Sequence, residues 1–139
     1  MRVVIDTNVF ISSVFGGRPR KVVEQWFQQR VTLCLSEDIF REYQRVLRRI
    51  GAVSKAEERD LISAFTSGEN VLYVNDPPSV TVVEEDPDDD KFIACALALE
   101  AECVVSGDDD LLSLGSYMGI SIVTPRSFLA MLDESAPEA

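Results

Sequence analysis

Short apolar runs alternate with longer amphipathic segments along almost the whole of this 139-residue chain. Several runs are apolar at successive positions, which is typical of strands covered on both faces of a parallel sheet. The segments between them have helical spacing, so the alternation predicts a three-layer α/β domain with a central, mainly parallel sheet. Strands are expected at residues 3–5, 33–35, 71–74, 80–83, 103–105 and 120–123.

Helix-start signals support the segments between these strands. Ser36 is placed to cap a helix that reaches Ile50, with two acidic residues in its first turn. Ser54 and Glu57 form a capping box for the next helix, to about residue 65. Further helices are expected at residues 19–30, 88–101, 109–114 and 125–132. Residues 1–132 are predicted to be a single domain and 133–139 a frayed tail.

The cysteine and histidine content removes several kinds of site. Cys34, Cys95 and Cys103 are an odd number without CxxC spacing, and each lies in an apolar context that suits a buried free thiol. The chain has no histidine, which rules out every Ser-His-Asp arrangement and the usual nitrogen ligand for zinc. Any catalysis therefore uses carboxylates, hydroxyls, basic groups or a bound ion.

The net charge of −11 is unevenly distributed. Nine of the 24 acidic residues lie at 84–90 and 108–110, and the other 15 face 13 basic residues. Outside those clusters the chain is nearly neutral, so a polyanionic partner is not excluded. Apolar runs are too short for a membrane span, and the N-terminal run is too short for a signal peptide, so we expect a cytoplasmic protein.

Two aspartates follow predicted strands. Asp6 ends the run VVID, and Asp108 follows CVVS through Gly107. Ligands of open parallel sheets bind beyond the carboxyl ends of the strands, so both carboxylates are placed to share a site. The alternative for either residue alone is a helix cap, which is the more common role of an aspartate at a strand end.

The acidic run ends at a third candidate, Asp90. With about 100° per residue, Asp90 falls on the same helix face as Ile93 and Leu97, which is apolar, and buried aspartates are rare without a partner. Asp88 and Asp89 have a simpler interpretation as cap and first-turn charges. A solvated acidic loop is the alternative for the whole run, and it explains residues 84–86 better than Asp90.

Glu42 lies at the boundary of a helix face. On one side is the apolar stripe of the Ser36–Ile50 helix, and on the other is a basic face with Arg45 and Arg49. The alternative for Glu42 is an ordinary surface ion pair with Arg45 at i, i+3.

A divalent cation would allow these carboxylates to lie together. Two such charges about 4 Å apart repel by roughly 4 kcal/mol at an effective dielectric near 20. All-oxygen ligands select Mg²⁺ or Mn²⁺. A calcium loop beginning at Asp86 is excluded, because Lys91 stands where glycine is required and Leu97 where glutamate is required.

Four motifs together resemble PIN-domain nucleases, in particular the VapC-like toxin ribonucleases of bacterial toxin–antitoxin pairs. They are DTN with Asp6, the 36–43 segment with Glu42, DDDKFIACAL with Asp90, and SGDDDLL with Asp108. The resemblance as a whole spans residues 2 to about 128. The resemblance implies one acidic pocket in which these four carboxylates bind Mg²⁺ or Mn²⁺ and cut single-stranded RNA. Asp89 remains an alternative to Asp90.

The resemblance also implies supporting residues and partners. Asn8, Ser106 and Asp110 match positions that line or support such a pocket. An antitoxin protein is expected to cover the pocket, and a homodimer is expected, for which Phe10, Val14 and Phe15 are candidate interface residues. RNA needs a basic approach, and the candidates are Arg18, Arg20, Lys21, Arg45 and Arg49.

Two other functions remain open on the sequence. A phosphatase of the haloacid-dehalogenase type also has an aspartate at a strand end, but it needs a second acid two residues later, where this chain has Asn8. A non-catalytic module that keeps the PIN shape to engage a partner protein is the other alternative. Loss of any of the four carboxylates would have favoured that module, and all four are present.

Overall fold

The structure, a computed structural model, describes residues 1–51, 53–67, 69–83 and 87–135. Its strands are β1 (Arg2–Ile5), β2 (Thr32–Ser36), β3 (Val71–Val74), β4 (Cys103–Val105), β5 (Ser116–Tyr117) and β6 (Ile120–Val123). Its helices are α1 (Thr7–Ser12), α2 (Gly17–Phe27), α3 (Glu37–Ile50), α4 (Lys55–Thr66), α5 (Asp90–Ala98), α6 (Asp109–Leu112) and α7 (Pro125–Ser135). Two 3₁₀ turns occupy Ser13–Phe15 and Pro87–Asp89.

The six strands form one sheet in the order β3-β2-β1-β4-β6-β5. All neighbours are parallel except β5, which pairs antiparallel with β6. The predicted three-layer α/β fold with a mainly parallel sheet is confirmed. The chain leaves β1 toward β2 and β3, and later returns to the other side of β1 as β4. The strand order therefore reverses between β1 and β4, where a crevice for ligands is expected at the carboxyl ends.

Local capping agrees with the sequence. The Ser36 hydroxyl accepts the Ile39 N–H at 3.3 Å and starts α3. Gly51, with φ of +59°, ends that helix in the left-handed conformation that glycine adopts without strain. The capping box of Ser54 and Glu57 is present at the start of α4.

The strand predicted at 80–83 is wrong. This segment has no regular structure, because the Val82 and Val83 N–H groups bind the side chain of Asp90 rather than a neighbouring strand. The sheet instead gains the two-residue edge strand β5, which is too short to leave a pattern in the sequence. Helix α1 was also not predicted. The last helix continues to Ser135, and residues 84–86 of the acidic run and 136–139 of the tail lie outside the described residues.

The core lies on both faces of the central strands. Val3, Val4 and Ile5 of β1 are fully buried, as are the residues of β4 beside them. Cys34, Cys95 and Cys103 are buried free thiols, as predicted. Within the described ranges, no helix is both long enough and apolar enough to cross a membrane.

Candidate active site

Asp6 lies at the carboxyl end of β1 and is only 3% exposed. Its backbone N–H donates to the Val105 carbonyl at 3.0 Å, which continues the β1–β4 pairing by one residue. Its Oδ1 accepts the Val9 N–H at 2.8 Å and caps α1, and its Oδ2 accepts the Ser106 hydroxyl. Burial raises the pKa of this carboxyl, and the nearby charge of Asp108 raises it further. Asp6 is thus both a helix cap and a buried carboxylate beside a second one.

Ser106 joins the ends of β1 and β4. It is fully buried, and its hydroxyl oxygen accepts the Asp108 N–H at 2.9 Å while its proton goes to Asp6. Asp108 in turn caps α6 by accepting the Leu111 N–H at 3.4 Å. The two aspartates predicted from strand ends therefore share one hydrogen-bonded support.

Glu42 reaches this edge from α3. The neighbouring Tyr43 is fully buried, stacks on Phe10 with ring centroids 4.2 Å apart, and donates its hydroxyl to the Ile5 carbonyl. This contact anchors α3 to the last residue of β1. The Thr7 hydroxyl then donates to Glu42 Oε1, so the glutamate is held beside the residue that follows Asp6.

Basic side chains occupy the other oxygen of Glu42. Lys91 Nζ lies 2.6 Å from Glu42 Oε2, and Arg45 Nη2 lies 3.5 Å from the same atom. The alternative reading of Glu42, an ion pair with Arg45, therefore holds together with its place at the site.

The acidic run places two adjacent carboxylates differently. Asp90 Oδ1 accepts the N–H groups of Val82 at 3.0 Å and Val83 at 2.7 Å, so this side chain ties the 80–83 segment to the start of α5. Asp89, the last residue of the 3₁₀ turn, lines the cavity at the strand ends. The structure therefore brings Asp89 rather than Asp90 to that cavity.

The cavity has a volume of about 170 Å³ and collects four carboxylates. Its lining comprises Asp6, Thr7, Asn8, Glu42, Arg45, Val46, Arg49, Asp89, Phe92 and Asp108. A neighbouring outer cavity of about 550 Å³ shares Glu42 and Arg45 with it, and is further lined by Asp38, Arg41, Asp88 and Lys91. The acidic cavity thus opens beside a surface that carries both signs of charge.

The remaining predicted residues are spread more widely. Asn8 lines the cavity, whereas Asp110 lies on α6. Arg18 and Lys21 are exposed on α2. The Arg20 guanidinium donates to the carbonyls of Ser13 and Val14, at 3.0 and 2.6 Å, and lines a different cavity.

The carboxylates that line the cavity lie too far apart to coordinate one ion together. In the part of the chain that the structure describes, no group of three or more acidic or cysteine side chains is close enough to hold an ion. Both oxygens of Glu42 instead contact Thr7, Lys91 and Arg45.

Sequence reasoning missed the roles of Thr7 and Lys91. Thr7 could have been suspected, because it lies between Asp6 and Asn8 in the DTN motif. The only signal for Lys91 was its position as the first basic residue after the acidic run, and nothing in the sequence connects it to a glutamate 49 positions earlier.

Comparison with known proteins agrees with this geometry. The family model described as "PIN domain" matches residues 2–110, which include all four cavity carboxylates. The chain is also similar to an uncharacterized protein of Methanocaldococcus jannaschii, MJ1680. The two are 30% identical over 141 residues, covering 93% of this chain and 90% of the relative. PIN domains are generally nucleases that use divalent metal ions such as Mg²⁺. This chain belongs to the PIN domain family.

Proposed function

We propose that this protein is an endoribonuclease that uses Mg²⁺ or Mn²⁺ to hydrolyse phosphodiester bonds of single-stranded RNA. The observation that carries the proposal is the cavity at the reversal point of the sheet, which Asp6, Glu42, Asp89 and Asp108 all line. Four carboxylates around one cavity repel one another, and a bound cation would offset that repulsion. Because the chain has no histidine, the available ligands are oxygens, which suit a hard ion.

The donor set fits a divalent cation. Burial raises the pKa of Asp6, and the charge of Asp108 adds a smaller increase. A bound cation would offset this repulsion between the two carboxylates. Asp6, Asp108 and Asp89 would hold the ion, with Glu42 joining when its present partners release it. When bound, the ion supplies Lewis-acid activation of water and of the phosphodiester.

Protein groups around the cavity would position the substrate and the ligands. Ser106 fixes Asp6 relative to Asp108, and Thr7 with Tyr43 fixes the approach of Glu42. The guanidinium groups of Arg45 and Arg49 line the cavity and are exposed, so they are placed to bind phosphates of the RNA.

The other basic candidates have weaker support. Arg18 and Lys21 are exposed and would contact RNA only farther along α2. Arg20 already binds two backbone carbonyls, which makes it the least available of the three.

The geometry favours Asp89 over Asp90 as the third carboxylate. Asp89 lines the cavity, and Asp90 uses one oxygen to bind two backbone N–H groups of the 82–83 segment. We therefore assign Asp89 to the proposed metal site and give Asp90 the role of holding that segment in place.

The proposal includes a role as the toxin of a toxin–antitoxin pair, with an antitoxin covering the cavity and a homodimer as the assembly. The toxin role is supported by the resemblance of the four motifs. The homodimer is supported by Phe15, whose side chain is 71% accessible, whereas Phe10 is core and Val14 is half-buried.

A growth assay tests the toxin role. Induced expression of the wild type is expected to arrest a bacterial host, and expression of Asp108→Asn is not. Equal growth of the two cultures would contradict the toxin role.

Calorimetric titration of Mn²⁺ and Mg²⁺ tests the metal site itself. The wild type should bind at least one ion, while Asp6→Asn and Asp108→Asn should each lose most of the affinity and keep the fold by circular dichroism. The matched control is Asp109→Asn, which removes one charge from the exposed residue next to Asp108. No binding by the wild type, or equal loss in the control, would contradict the assignment.

A further inference from the structure

Both carboxylate oxygens of Glu42 have partners in this structure, although its side chain is still 18% exposed. Oε1 accepts the Thr7 hydroxyl, and Oε2 lies against Lys91 and Arg45. Both oxygens already have partners, so a cation that binds Glu42 has to compete with the positive charge of Lys91 for this carboxylate. The arrangement therefore raises the question of what Lys91 does at the edge of an acidic site.

Lys91 is not an ordinary surface lysine. Its side chain is only 16% exposed, and Nζ donates to the Asp88 carbonyl at 2.8 Å besides pairing with Glu42 at 2.6 Å. Nζ also lies 5.1 Å from the centroid of the Phe92 ring, within the range of a cation–π contact. Three partners on three elements, the 3₁₀ turn, α3 and α5, fix this ammonium. Arg45 is largely exposed and lies farther from the carboxylate.

The position of Lys91 relates it to the proposed ion site. Glu42 lines both the acidic cavity and the outer cavity, while Lys91 lines the outer cavity only. The ammonium thus reaches Glu42 from the outer cavity, whereas Asp6, Asp89 and Asp108 line the acidic cavity. From there it neutralises Glu42 without itself occupying the acidic cavity.

We propose that Lys91 is a built-in counter-ion that holds Glu42 in a metal-free resting arrangement and competes with the divalent cation for it. The inference rests on the proposed metal-dependent function and adds a control on the same site. Lys91 offsets the repulsion among the carboxylates when no ion is bound, and ion binding draws Glu42 away from it. Lys91 is a positioning residue in this account, since it acts through Glu42.

Substitution of Lys91 gives a result that a purely structural role would not. Lys91→Met removes the competing charge, so Mn²⁺ is expected to bind about tenfold more tightly by calorimetry, while the metal-free protein melts at a lower temperature. Lys91→Arg keeps the charge and should bind Mn²⁺ like the wild type.

The matched control is Arg41→Met, because Arg41 lines the same outer cavity but pairs with Glu37. Its Mn²⁺ affinity should stay within about twofold of the wild type, because a screened surface charge contributes little.

Unchanged or weaker Mn²⁺ binding by Lys91→Met would overturn the counter-ion role. Failure of the wild type to bind Mn²⁺ at all would instead overturn the proposed function, so the two failures are distinguishable. A second measurement needs no variant. The ammonium resonance of Lys91 should be visible by NMR in the metal-free wild type and should shift or broaden at saturating Mg²⁺, and an unchanged resonance would overturn the proposal.

Discussion

The Ser106 hydroxyl donates to Asp6 Oδ2 and, through the same oxygen, accepts the backbone N–H of Asp108. One buried side chain thereby connects the residues that follow the two central strands. The connection spans 100 positions of sequence between Ser106 and Asp6. It explains how two carboxylates that repel each other are kept in register at the edge of the sheet.

Replacement of Ser106 by alanine should weaken both the fold and the metal site. The change leaves the Asp108 N–H without its acceptor and removes a donor to buried Asp6, so we expect the free energy of unfolding to fall by about 1–3 kcal/mol. Mn²⁺ affinity should fall several-fold. Chemical denaturation and calorimetry measure the two effects, with Ser113→Ala, an exposed serine on the end of α6, as the control. Equal effects of the two substitutions would contradict the bridging role.

The pH dependence of stability should report the burial of Asp6. Burial raises the pKa of Asp6 above its ordinary value of 3.8, so the folded protein binds this proton more tightly than the unfolded chain. The resulting stabilisation is complete below pH 3.8 and is lost as the pH rises through the folded pKa. Asp6→Asn does not titrate. In EDTA its melting temperature relative to the wild type should therefore be constant below pH 3.8, rise as the pH increases through the folded pKa of Asp6, and then level off.

Saturating Mn²⁺ at neutral pH should reverse that comparison. The wild type gains stability from the ion and Asp6→Asn does not, because ligands that bind only the folded state raise its stability. Thermal unfolding over pH 3–7, with and without Mn²⁺, tests both parts. If the melting temperature of Asp6→Asn in EDTA, relative to the wild type, falls as the pH rises, the predicted direction of the pKa effect is wrong.

Adjacent aspartates on the acidic run should behave differently. Asp89→Asn removes a cavity carboxylate, so Mn²⁺ binding and RNA cleavage should fall at least tenfold with little change in stability. Asp90→Asn keeps an oxygen that accepts from Val82 and Val83, and it should remain close to the wild type in all three measurements.

Asp90→Ala provides the second half of that test. It leaves the two half-buried N–H groups without an acceptor, which should cost about 1–3 kcal/mol of stability. Loss of Mn²⁺ binding in Asp90→Asn, with binding intact in Asp89→Asn, would return the ligand role to Asp90.

Arginines that line the cavity should contribute to RNA binding through phosphates. Arg49→Ala should weaken binding of single-stranded RNA similarly for different sequences, and should reduce the slope of log affinity against log salt by about one. Arg126→Ala is a suitable control, since Arg126 is exposed on α7 and does not line this cavity. Fluorescence anisotropy over a series of salt concentrations measures both slopes, and equal slopes for the two variants would contradict the role of Arg49.

Apolar patterning predicted most of the sheet because its central strands are buried on both faces. The same pattern misled at 80–83, where an apolar run ending in buried Val83 looks like a strand although two of its N–H groups bind Asp90. Helix α1 was missed because its buried residues Val9, Phe10 and Ile11 are consecutive and show no helical spacing.

The candidate site was predictable in its main features but not in its contacts. Strand ends pointed to Asp6 and Asp108, and the boundary of an amphipathic helix pointed to Glu42. The position of Asp89 in the cavity could not be predicted from an α-helical wheel, because Asp89 ends a 3₁₀ turn, in which side chains are rotated by a larger angle per residue, and α5 begins only at Asp90. The pairing of Lys91 with Glu42 is a tertiary contact that no local pattern encodes.

Cleavage of a single-stranded RNA is the measurement that tests the central claim most directly. The wild type should cut the RNA in Mn²⁺ or Mg²⁺, stop when EDTA is added and resume when the metal is restored, while Asp108→Asn purified in the same way should be inactive. Cutting that persists in EDTA, equal cutting by Asp108→Asn, or no cutting by the wild type with either metal would contradict a metal-dependent ribonuclease.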